Sequence, residues 1–108
     1  MSSVFDAGCL FTGALTATAR ELVTGVAQGP TYLSAIHLDN PSASDEVVTI
    51  VIRAGGYDVG IFRNTVGAGM AWPVFGSGIV LDASDTIVGS STSTGCRVAI
   101  CGVIENKD

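Results

Sequence analysis

The chain has 108 residues, enough for one domain with a single hydrophobic core and too few for two. Hydrophobic residues make up 47% of it and charged residues only 14%, against about 25% in ordinary soluble domains, so burial of much of the surface against neighbouring subunits is expected. The net charge is −5 and the basic residues Arg20, Arg53, Arg63, Arg97 and Lys107 are widely separated, which leaves no basic patch for nucleic-acid phosphates or anionic lipid headgroups and argues against both partners.

Residues 1–10 contain no basic segment, and the apolar stretch after them is broken by Thr12, Gly13 and Thr16, which is not the form of a secretory signal. No stretch is long and apolar enough for a membrane helix, and the expectation is a protein made in the cytoplasm. With Val4, Phe5, Cys9, Leu10 and Phe11, residues 1–10 and their continuation suit an N-terminal arm that orders on a neighbouring subunit, or the start of a first strand.

Strand signals then recur at short intervals, each ended by Gly, Pro, Asn, Asp or Ser, while helical periodicity is nearly absent. The first two strands are expected over 10–18 and 21–26, the second closed by Gly29 and Pro30. A third, 32–39, alternates Ile36 and Leu38 with His37 and Asp39, and Asn40 with Pro41 stops it. The most strand-like segment is 46–54, where Val48, Ile50 and Ile52 face one way and Val47, Thr49, Val51 and Arg53 the other. Gly55 and Gly56 supply a hairpin turn, since adjacent glycines take positive φ without strain, and 58–66 follows as the fifth strand. Glycine and proline punctuate 67–77, which predicts a loop or short edge strand carrying Met70, Trp72 and Phe75. Strands over 79–81, 86–90 and 97–105 complete the set, the last turning Val98, Ile100 and Ile104 inward. Eight or nine strands of this kind predict an all-β, antiparallel β-sandwich spanning 1–108 as one domain, with a jelly roll among its arrangements.

Chemistry-bearing residues are sparse. His37 is the single histidine, and although Asp39 shares its strand face, no Gly-x-Ser-x-Gly element accompanies them; Phe75-Gly76-Ser77-Gly78 has the wrong spacing. Cys9, Cys96, Cys101 and His37 lack zinc-ligand spacing, and the paired glycines are not followed by a helix that could hold a phosphate. No catalytic, cofactor-binding or metal residue is therefore assigned, and the chain is not expected to be an enzyme. The odd number of cysteines suits reduced thiols, and Cys96 and Cys101, five apart on one strand, fall about 16 Å apart on opposite faces and cannot bridge each other. Asp82 and Asp85 flank a tight turn, where their carboxylates accept hydrogen bonds from unpaired amides; with a third acid they would instead make a calcium site, the less favoured reading. Asn40, Gly55 and Gly56 are the other structural turn residues. Val4, Phe5, Leu10, Phe11, Met70, Trp72 and Phe75 are the candidate interface, with Trp72 as an interface anchor or a plug at one end of the sandwich. Trp72 and Phe75 also leave open a carbohydrate-binding platform.

The segments Leu81-Asp82-Ala83-Ser84-Asp85-Thr86-Ile87 and Gly102-Val103-Ile104-Glu105, together with 36–40 and 47–52, give the chain a resemblance to small β-sandwich virion proteins of tailed bacteriophages. The resemblance covers about residues 15–105. It departs from the family at Ala19-Arg20-Glu21, where a proline-glycine entry would fall, and at Ser84, where a glycine is expected. What it implies is a structural protein of the capsid surface, a cement or decoration protein that binds between major capsid proteins. Such a protein would act as a homo-oligomer, a trimer in this reading, in a virion assembled in the host cytoplasm. A head-tail or tail accessory component is the alternative within the same family.

Overall fold

The computed structural model describes residues 3–74 and 78–107. Their strands are β1 (Ser3–Ala14), β2 (Arg20–Thr24), β3 (Thr31–Asp39), β4 (Glu46–Ala54), β5 (Tyr57–Val66), β6 (Ala71–Val74), β7 (Val80–Leu81), β8 (Thr86–Ser91) and β9 (Arg97–Lys107). They form two antiparallel sheets, one ordered β1-β9-β3-β6 with β7 also on β3, the other β2-β8-β4-β5. The chain is thus an all-β sandwich. Setting β7 aside, the partners are β1 with β9, β2 with β8, β3 with β6 and β4 with β5, the pairing of a long antiparallel ribbon rolled on itself into a jelly roll.

Side-chain alternation explains how the layers meet. In β3 Leu33, Ile36 and Leu38 point inward and His37 and Asp39 outward, and in β4 Val48 and Ile50 are fully buried. With Leu15, Leu81, Ile87 and Ile100, none of which has measurable exposure, they fill the space between the sheets. Ile52 and Ile104 are only half-buried, because the core thins toward the end of the sandwich where β4 and β9 run on. Val51 and Val88 lie opposite each other on the outer face of the second sheet yet are buried, at the floor of a hollow of about 220 Å³ walled by Arg53 and Arg63.

The first strand starts earlier than the pattern predicts, at Ser3 instead of residue 10. Residues 4–9 are exposed and show no alternation, so nothing in their side chains announces a strand. Their order comes from the main chain: β9 continues to Lys107, and the ladder runs without a break from Ser3↔Lys107 to Cys9↔Cys101. Leu10 is the extra residue of a β-bulge between Cys9 and Phe11, after which Phe11 stands opposite Ile100. The strand ends before residue 15 because Leu15 turns into the core, its amide bonding the Cys96 carbonyl at 2.8 Å.

Candidate interaction surfaces

The register fixes which residues share an end of the molecule. Thr31 pairs with both Ile104 and Leu81, and Thr86 pairs with Thr24 and Arg53, so the outer ends of β1 and β9 and the tip of the β4–β5 hairpin lie toward one end. The opposite end holds Ala14, Arg97, Asp39, Asn40 and the loop from β5 to β6. The molecule is 52 Å long and 19 Å thin.

The candidate interface residues divide between these ends. Val4 and Phe5 are 55% and 60% exposed at the first. Tyr57 and Val59, which the sequence pattern does not single out, are 75% and 58% exposed on the β4–β5 hairpin toward the same end. Met70, 51% exposed, is at the second end. Leu10, Phe11 and Trp72 pack against their own core and offer a partner only part of their surface. Trp72 and Phe62 form a T-shaped ring pair, centres 6.0 Å apart, that closes the gap between β6 of one sheet and β5 of the other. Phe75 lies outside the described residues. Phe11 is further held by the Arg20 guanidinium, 5.2 Å from its ring centre.

The turn residues form two polar knots. At the second end Asn40 is fully buried; its Nδ2 donates to the carbonyls of Ser44 (2.8 Å) and Val66 (2.9 Å), while its Oδ1 accepts from the Ser42 amide and hydroxyl. Its main chain bonds Met70 and Gly69, so one side chain ties the ends of β3 and β5 to the approach to β4. Beside it Glu46, 3% exposed, accepts from the Ser93 amide at 2.9 Å and the Ser93 hydroxyl at 2.8 Å. Burial alone would push the Glu46 carboxyl up, but the bonds from Ser93, Ser91 and Gly95 together hold it below the usual range.

At the first end Asp85 accepts from the Asp82 amide at 3.0 Å, and the Asp85 amide returns the bond to the Asp82 carbonyl. Ser84 between them has φ 75°, a left-handed conformation. The turn rests on Gly25, where a Cβ would come within 2.0 Å of the Asp82 carbonyl oxygen. No group of three or more metal-ligating side chains occurs among the described residues. Gly55 and Gly56 take φ 60° and 84° at the hairpin tip, beside which Arg53 makes a two-pronged ion pair with Asp58, holding that carboxyl low.

On the outer face of the first sheet His37 stands between Ala99 and Pro73, neither of which carries a nucleophile, while Asp39 pairs in register with Arg97. Together they rim an apolar hollow of about 350 Å³ floored by Ala14 and Ala99. The same face brings together two residues that sequence spacing does not connect: Cys9 and Cys101 are opposite each other on β1 and β9, with Sγ atoms 3.1 Å apart. Only strand pairing across 92 positions could reveal this contact. Cys96 is buried within the core.

No family model matches the chain, and no curated protein sequence matches it. Among solved structures, a pentameric capsid protein isolated from metagenomic phage sequences is 16% identical, over 96% of this chain and 63% of that one, with a TM-score of 0.39. A protein of the Bacillus endospore appendages, described as a novel family of disulfide-linked pili, is 19% identical over 98% of this chain and 88% of that one; at a TM-score of 0.57 the two share a fold.

Proposed function

We propose that the chain is a non-catalytic structural subunit that assembles with copies of itself. The observation that carries this reading is the placement of exposed apolar side chains at both ends of an elongated sandwich, Val4, Phe5, Tyr57 and Val59 at one and Met70 at the other. Different exposed apolar side chains at the two ends suit heterologous contacts, which close into rings or continue into fibres. The outer edges of β1 and β5 carry no further strand among the described residues, and such edges pair readily with another chain. A chain with only 14% charged residues has little electrostatic protection against this association.

The resemblance to phage virion proteins supports a more specific form of the reading: a capsid cement or decoration protein, a closed homo-oligomer such as a trimer, bound between major capsid proteins on the virion surface. Many weak contacts would then reinforce the shell through multivalency. The fold shared with an endospore pilus protein favours a second form, a fibre subunit. The carbohydrate-platform alternative is weakened by Trp72, which is half-buried against the core and packed on Phe62.

Light scattering and electron microscopy of the purified protein, followed by copy counting in particles, test the proposal. Closed oligomers that bind intact capsids support the cement form, and helical fibres support the second. A protein that stays monomeric at millimolar concentration and binds no capsid overturns both. Phe5→Ser with Tyr57→Ser should weaken assembly about tenfold or more without unfolding the sandwich, because both rings are exposed.

A further inference from the structure

We propose that Cys9 and Cys101 are a dithiol that closes to a disulfide within one chain, a redox clasp fixing the first strand to the last. The two residues are direct partners in the β1–β9 ladder, their side chains emerge on the same outer face, and their sulfurs already lie 3.1 Å apart. A disulfide needs about 2.0 Å, so closure asks for a movement of only about 1 Å. The neighbouring backbone can supply it: Gly8 faces Gly102 in the next pair, with nothing within 4 Å of where a Gly8 side chain would start, and the bulge between Cys9 and Phe11 adjoins on the other side.

Accessibility assigns the order of events. Cys9 is exposed and Cys101 half-buried, so a low-molecular-weight disulfide reaches Cys9 first. The Cys9 sulfur attacks it, forming a mixed disulfide and releasing one thiol. The Cys101 sulfur, once deprotonated, then attacks the Cys9 sulfur and expels the second thiol. One external disulfide is reduced to two thiols, and the two cysteines lose two electrons and two protons. The Cys101 thiol is pushed up, first by its hydrogen bond with Cys9 and then by burial and the Cys9 charge. Cys96 takes no part, being sealed in the core. Since the partners are 92 positions apart, the bond closes almost the whole chain into a loop and prevents β1 from leaving β9 to pair with a neighbour.

The test treats the intact chain with oxidised glutathione or with dithiothreitol. Expected are a mass lower by about 2 Da in the oxidised sample, a monomer on a non-reducing gel and a cross-linked peptide pairing Cys9 with Cys101. Only Cys96 should then be alkylated on unfolding, and the oxidised protein should melt several degrees higher than the reduced one. Cys9→Ser and Cys101→Ser should each abolish that difference, and Cys96→Ala should keep it. The comparison of oxidised with reduced wild-type protein needs no variant to fold. Disulfide-linked dimers, a stable glutathione adduct on Cys9, or alkylation of all three cysteines after oxidation would overturn the proposal.

Discussion

Replacement of Asn40 tests whether the end of the sandwich is held by one buried amide. Asn40→Ala removes two donated and two accepted hydrogen bonds made by a fully buried side chain, and the carbonyls of Ser44 and Val66 and the Ser42 amide each lose a partner. At about 1 kcal/mol for each lost bond, with partial recovery because the Ser42 hydroxyl also reaches the Ser44 carbonyl, the loss is about 3 kcal/mol. Against a stability of about 5–15 kcal/mol this is a large fraction. Asn40→Asp keeps the shape and the bonds from Ser42 but turns a second oxygen on the two carbonyls. Its carboxyl is forced to titrate above its unfolded value, so the deficit relative to wild type is greatest at neutral pH and narrows as the pH falls and the group protonates. Chemical denaturation followed by the fluorescence of Trp72, the single tryptophan, reads both variants. A loss under about 1 kcal/mol for Asn40→Ala, or an Asn40→Asp variant as stable as wild type at neutral pH, would refute the assignment of this amide as the knot.

Other predictions follow from the same geometry. Glu46 is held below its unfolded value by its hydrogen bonds, so its contribution is fully present above that value and is lost as the pH falls through the folded one; Glu46→Gln should cost about 2 kcal/mol at neutral pH and flatten the acid limb of a pH–stability curve. Ser84→Gly should stabilise by about 1 kcal/mol, because a glycine takes φ 75° without the steric cost a side chain meets there, and a lower midpoint would contradict this. Gly25→Ala should cost about 3 kcal/mol or more, since a Cβ placed 2.0 Å from the Asp82 carbonyl oxygen must push the turn off β2; an unchanged melting temperature would show that the turn moves freely.

Much of the sandwich is written in short-range pattern. Ile36 and Leu38 against His37 and Asp39, and Val48 and Ile50 against Val47 and Thr49, declare two-faced strands, because consecutive side chains of a strand point to opposite faces whatever lies beside it. Gly55-Gly56 likewise declares its turn, which only residues free to take positive φ can make. What the tertiary structure alone decided is pairing. Residues 3–9 carry no strand pattern and are ordered by the backbone of β9, about a hundred positions away in the chain. The Asn40 knot draws on Val66 and Met70, the support of the Asp82–Asp85 turn is Gly25, and Cys9 meets Cys101 only because the first strand closes against the last. Alternation is a property of one segment, whereas register depends on partners distant in sequence, so the faces of the strands can be read locally and the junctions between them cannot.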